Sequence, residues 1–274
     1  MREEMIKSGL FIKDDMRIHY EIQGVGPSIL CFSGFGCSNY NFDFLRDELS
    51  KNFQLILIDN RGMGKSSLVS KDYLIDDLAV DGIELMAKLG IEAFSVMGIS
   101  MGGFIAQKVA LKAADRIQSL VLACTTSGGE DFPALNKLNE ESIKRSFELD
   151  PKTYNLLVLN STVHPSVEIE KPKLFEEILN LRMKNMPKLS QVLLQQSAVD
   201  KFLQSKIDLS KITCPVLILS GADDRFVIPK NAYVLEDKIP NATLKFIDES
   251  DHHFFLEKPL ETANVVSEYL GLQL

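Results

Sequence analysis

With 274 residues, 45% hydrophobic and 25% charged, the chain has the proportions of one large α/β domain and is long enough to bury a sizeable core. A formal net charge of −8 opposes nucleic acid and anionic membrane surfaces as partners. No run reaches the ~18 apolar residues of a membrane span, and Glu3, Glu4, Lys7 and Lys13 break up the start of the chain, so no secretory signal is read and a cytoplasmic location is expected.

In chain order, residues 10–13 and 16–22 read as a hairpin around Asp14-Asp15. Residues 28–33 (SILCFS) and 53–59 read as buried strands. Residues 74–89 carry apolar side chains at 74, 75, 78, 85, 86 and 89, a helical spacing, with Gly90 placed to end the helix. A strand at 93–97, a helix at 102–111 and a strand at Ile117–Ala123 follow. The last quarter gives a strand at 215–220 (PVLILS), a helix at Lys230–Lys238, a strand at 243–248 and a helix at 260–270. Near-continuously apolar strands separated by helices predict a mostly parallel sheet covered on both faces. From about residue 128 to 207 the alternation stops, and only helical segments punctuated by Pro133, Pro151, Pro165, Pro172 and Pro187 occur. The expected organisation is a core of residues 1–127 and 208–274 with a helical cap inserted at 128–207.

The four cysteines, Cys31, Cys37, Cys124 and Cys214, form no C-x-x-C pair. Free buried thiols are expected rather than a disulfide framework or a zinc site. Asp59-Asn60-Arg61-Gly62-Met63-Gly64-Lys65-Ser66 follows a strand and ends like a phosphate-binding loop. The first glycine of that motif would fall at position 59, where an aspartate sets negative charge against phosphate. A structural turn is the expected role.

Gly98-Ile99-Ser100-Met101-Gly102 is G-x-S-x-G between a strand and a helix. A serine on so sharp a turn needs small residues on both sides, and the turn lifts the hydroxyl above the sheet edge at a helix N-terminus. A serine hydroxyl needs a base. Of His19, His164, His252 and His253, the last two lie in a loop after a C-terminal strand. His252 is the predicted base and His253 its rival, while His19 and His164 are read as structural or exposed. The base needs a carboxylate, and Gly221-Ala222-Asp223-Asp224 follows another strand. Asp224 is the predicted partner and Asp223 the fallback.

The order Ser, Asp, His, each at a strand's end, resembles the α/β-hydrolase superfamily, and the likeness runs along nearly the whole chain. It is similar to the esterase, lactonase and C–C hydrolase group with a helical cap. Residues 98–103 resemble the nucleophile elbow, and 221–224 with Pro229 the acid loop. Residues 252–259 resemble the histidine loop, and 59–66 the family's D-x-R-G-x-G-x-S turn. The likeness implies a Ser100, His252 and Asp224 triad, with the Phe35 and Met101 backbone amides as the oxyanion hole. It implies no cofactor or metal. Three positions depart from the pattern: Ser33 stands where the loop after the third strand usually begins with histidine, Asp251 replaces a glycine before His252, and Pro229 lies one residue further from Gly221 than usual.

The function expected is hydrolysis of a small carboxylic ester or lactone. Alternatives on the same triad are C–C bond hydrolysis and cofactor-free haloperoxidase-type chemistry; a ligand-binding signalling role is a third. A homodimer is compatible with the sequence. The cap offers Leu156, Leu157, Val158, Phe175, Ile178 and Leu179, with Met183 and Met186, and more than half of these are expected to pack the cap onto the sheet rather than line a pocket.

Overall fold

A computed structural model describes residues 6–129, 132 and 138–273. One sheet contains β1 (Lys7–Lys13), β2 (Met16–Gln23), β3 (Ser28–Phe32), β4 (Gln54–Ile58), β5 (Phe94–Ile99), β6 (Ile117–Ala123), β7 (Val216–Gly221) and β8 (Ala242–Ile247). Their spatial order is β1-β2-β4-β3-β5-β6-β7-β8. β2 pairs antiparallel with β1 and β4, and every pairing from β4 to β8 is parallel. The parallel strands therefore end on one edge. The strand order reverses beside β3, which lies between β4 and β5, and such a reversal opens a crevice at the strands' C-terminal ends.

The apolar runs of β3 to β7 follow from burial on both faces. Leu30, Phe32, Ile56 and Ile58 enter one core, whereas Ile29, Cys31, Leu55 and Leu57 enter the other. Helix α1 (Arg46–Leu49) closes the second core, and α2 (Ile75–Lys88) and α3 (Met101–Lys112) cover the first. Between β6 and β7 come α4 (Glu140–Ser146), α5 (Pro151–Thr162), α6 (Pro165–Glu170), α7 (Pro172–Lys184) and α8 (Leu189–Gln204). The chain closes with α9 (Lys230–Lys238), α10 (Phe254–Glu257) and α11 (Pro259–Gly271). No described helix is long and apolar enough to cross a membrane.

Two elements differ from the sequence reading. β1 starts at Lys7 because pairing with β2, from Lys7 opposite Ile22, orders a polar stretch without an apolar alternation of its own. α10 occupies part of the stretch read as a loop, and its Phe254, Phe255 and Leu256 are fully buried. Between β6 and β7 the described residues contain no strand, as expected. Cys31, Cys37 and Cys124 are free and buried, while Cys214 is only half-buried.

Candidate active site

Ser100 follows β5 directly and takes a left-handed backbone conformation, φ +54° and ψ −117°. The flanking glycines are required by close approach: a Cβ at Gly98 would lie 2.2 Å from the Gly102 carbonyl oxygen, and one at Gly102 would lie 2.1 Å from that of Phe32. The Ser100 N–H donates to Ala123 O (2.8 Å). Thr125 Oγ donates to Ser100 O (2.8 Å), so the residues after β6 brace the turn.

His252 follows β8, and Asp224 follows β7. His252 Nε2 lies 3.0 Å from Ser100 Oγ, and His252 Nδ1 lies 3.0 Å from Asp224 Oδ2. An ionised carboxylate only accepts, so Nδ1 carries the proton and Nε2 is left to accept from the hydroxyl. The other oxygen, Asp224 Oδ1, accepts from the amides of Phe226 (2.9 Å) and Val227 (2.7 Å). Asp224 and His252 are buried.

The neighbouring candidates are placed differently. Asp223 is exposed, with its carboxylate 3.7 Å from His164 Nε2. The buried His253 ring lies 5.6 Å from that of His252, and its Nδ1 has no partner among the described residues. Burial, then the Arg182 charge and His252, pushes the His253 imidazole well below the ordinary histidine range, so it stays neutral. His19 is buried with Nδ1 2.8 Å from Asp59 Oδ2, and His164 accepts at the start of α6. Asp59 also explains the turn at 59–66. Its carboxylate accepts from the amides of Asn39 (2.8 Å) and Lys65 (3.0 Å), and a Cβ at Gly64 would lie 2.3 Å from Asp59 Oδ2. The loop folds around its own carboxylate, while the Lys65 side chain stays exposed.

The aspartate found where the family pattern has glycine proves to be a junction. Asp251 is fully buried, and its Oδ1 accepts from the amides of His252 and Arg225, both at 2.8 Å. The Arg225 guanidinium pairs with Asp251 Oδ2 at 2.5 Å and donates to Asn160 O (3.0 Å) and Val163 O (2.8 Å) at the end of α5. One ion pair thus joins the residue after Asp224 to the residue before His252, and both to the helical segment.

Two cavities meet at Ser100. One, of about 270 Å³, is bordered by Tyr154, Leu157, Val158 and Arg182 as well as His252 and His253. The other, of about 470 Å³, is bordered by Met101, Phe104, Val199, Leu203 and Phe226. Phe35 borders both. Among the described residues, the Phe35 and Met101 amides donate to no acceptor. Most of the eight apolar residues named above pack rather than line a cavity, as expected. Phe175, Ile178 and Leu179 are buried in the core, and Leu156 and Met183 pack against it. Leu157 and Val158 reach the smaller cavity, and Met186 borders neither.

Arg182 escaped the sequence reading. It is 9% exposed, borders the smaller cavity, donates to Asn155 Oδ1 (3.2 Å) and lies 3.9 Å from Cys37 Sγ. No carboxylate among the described residues pairs with it. A signal was present: 175, 178, 179 and 182 form one helical stripe, with an arginine where an apolar residue belongs. Among the described residues, no cluster of three or more His, Cys, Asp or Glu is placed to hold a metal ion.

A family model described as alpha/beta hydrolase fold matches residues 27–259. The chain is 27% identical over 267 residues to Lipase 3 of Moraxella sp., covering 94% of this chain and 82% of the relative. It is 27% identical over 277 residues to the 2-hydroxy-6-oxononadienedioate/2-hydroxy-6-oxononatrienedioate hydrolase of Paraburkholderia phymatum, covering 94% and 92%. In fold it is similar to the enol-lactonase from Burkholderia xenovorans LB400, with a TM-score of 0.83 at 21% identity over 96% of this chain and 100% of that one.

Proposed function

The chain belongs to the alpha/beta hydrolase fold family, and from that premise we propose that it is a serine hydrolase cleaving a small carboxylic ester or lactone through an acyl-enzyme. The reading is carried by the continuous hydrogen-bonded path from Ser100 Oγ through His252 to Asp224, with both links at 3.0 Å. Ser100 Oγ attacks the carbonyl carbon as His252 Nε2 takes its proton, and Asp224 stabilises the resulting imidazolium. The carbonyl oxygen becomes an oxyanion facing the Phe35 and Met101 amides, which have no competing acceptor among the described residues. His252 then returns the proton to the departing alcohol. A water molecule, deprotonated by the same imidazole, releases the acid and restores Ser100.

The two cavities accommodate the two sides of the scissile bond, and the helical segment acts as their cap. Arg182 narrows the substrate class. A buried guanidinium stays charged, and with no carboxylate partner among the described residues its natural partner is an anionic group on the substrate. A substrate carrying its own carboxylate, seated in the smaller cavity, fits that environment. One relative is named for a dioate. The same observation favours a second reading, carbon–carbon bond hydrolysis of a keto acid by the same three residues. Turnover of p-nitrophenyl esters against that of acidic diketones separates the two.

Labelling with a fluorophosphonate probe tests the common core of both readings. Wild type is expected to form one adduct at Ser100, and Ser100→Ala none. Folded wild type without an adduct at Ser100 would refute the reading.

A further inference from the structure

The loop after β3 lacks the histidine that usually supports it, and the structure supports it from the other side. Within the loop, Ser33 Oγ donates to Ser38 O (2.7 Å) and the Cys37 amide to Gly34 O (3.2 Å). The Gly36 amide, next to the proposed oxyanion donor Phe35, reaches outside. It donates to Gln195 Oε1 at 2.8 Å, and Gln195 lies on α8, in the helical segment. Gln195 is fully buried, and its Nε2 has no partner among the described residues. One turn earlier on the same face, Gln191 exchanges two 3.0 Å hydrogen bonds with the Val69 backbone, beyond the loop that follows β4. Two glutamines at helical spacing therefore dock α8 onto two loops of the sheet edge. Only one atom of Gln195 is used there, its acceptor oxygen.

An unsatisfied buried donor is costly, so what Gln195 contributes here lies at its other end, the acceptor oxygen. We infer that Gln195 is a positioning residue for the oxyanion site: by accepting the Gly36 N–H it fixes the peptide that follows Phe35, and the helical segment thereby sets the reactivity of Ser100 as well as access to it. The inference rests on the proposed role of the Phe35 amide. Oxyanion donors act on the charge that develops in the transition state, so an altered donor changes kcat rather than ground-state binding.

Because only the acceptor oxygen matters, two near-isosteric replacements should part company. Gln195→Met keeps the volume and removes the acceptor. Gln195→Glu keeps an acceptor oxygen whether its carboxyl is charged or neutral. Steady-state kinetics on a p-nitrophenyl ester, with thermal unfolding and fluorophosphonate labelling of each variant, test the inference. Gln195→Met is expected to lower kcat by ~10- to 100-fold, part of the ~10²–10³ that one oxyanion donor contributes, with KM within about twofold. Gln195→Glu is expected to recover most of that loss. A boronic acid that forms a tetrahedral adduct on Ser100 should weaken on Gln195→Met by a factor similar to the kcat loss.

Wild-type kcat in Gln195→Met, with wild type labelled at Ser100, would overturn the inference alone. Equal losses in both variants that follow a fall in Tm or a rise in KM would overturn it in favour of a packing role. No Ser100 adduct and no turnover in wild type would overturn the functional reading and this inference with it.

Discussion

The sheet edge and the helical segment facing it approach Ser100 in opposite ways. From the edge, short loops after β3, β5, β7 and β8 bring in Phe35, Ser100, Asp224 and His252. Glycines and turns set each loop, and each of these residues lies close to the end of its own strand. The α4–α8 segment contributes through helices whose buried faces carry polar groups, among them Arg182 from α7 and Gln195, beside Gln191 and Gln196, from α8. In the proposed reading the edge supplies the bond-breaking chemistry, and the helices choose what is presented to it and hold one loop in place.

That division predicts its largest effect at the edge. His252→Ala is expected to reduce ester turnover by ~10⁴-fold or more, as loss of a general base does in serine hydrolases. His253→Ala, which removes a neutral ring with an unpartnered nitrogen, should stay within a few-fold of wild type. Steady-state rates of the two variants check the pair, and the reverse outcome would move the base to position 253.

A smaller effect belongs to the helices. Arg182→Met is expected to lower kcat/KM for a carboxylate-bearing ester by about 10²-fold, mostly through KM, because a buried charge pair loses one partner. Neutral esters of the same size should be turned over as well as by wild type, and the variant should unfold at an equal or higher temperature, since a buried charge with no carboxylate partner among the described residues has gone. An equal loss on both kinds of ester would assign Arg182 to packing and dissolve the contrast between the two regions.

The contrast also explains what was legible in the sequence. The elbow at 98–102 could be read because its glycines are forced by contacts near 2 Å, the acid loop because it follows the fully buried apolar strand β7, and the histidine loop because it follows the alternating strand β8. Asp224 was preferred to Asp223, and His252 to His253, on loop position, and the resemblance favoured the same choices. Neighbouring residues on a loop share every local signal, and the choice is made by which side chain the fold turns inward. Asp251 was visible as a departure from pattern, but its meaning needed Arg225, 26 positions away, and the end of α5, 88 to 91 positions away in the chain. Arg182 and Gln195 lie on the buried faces of their helices, Gln195 beside the buried Gln191 and Gln196. Their partners are a cavity and a loop amide more than 140 residues away, and no periodicity encodes these.

The smallest effect concerns the junction between the two regions, and it is one of stability. Glu257 is buried and accepts from the amides of Asp251 (3.2 Å) and His164 (3.3 Å), so it ties the histidine loop to the start of α6. Burial, reinforced by the charges of Asp251 and Asp224 and opposed by those amide bonds, pushes its carboxyl from an ordinary 4.5 up to about 7. A raised carboxyl pKa means that the folded protein prefers the neutral form. The associated stability is complete below pH 4.5 and is lost as pH rises through 7. Glu257→Gln keeps a carbonyl acceptor for the two amides and cannot ionise. It should match wild type near pH 4.5 and become the more stable protein above pH 7, by on the order of 2 kcal/mol once relaxation around the charge is allowed for. Thermal unfolding of both proteins across that range would show the Tm gap opening between pH 5 and 7. A gap independent of pH would mean that the carboxylate is solvated as it ionises, so that the junction tolerates charge and the two regions are less tightly joined than their hydrogen bonds imply.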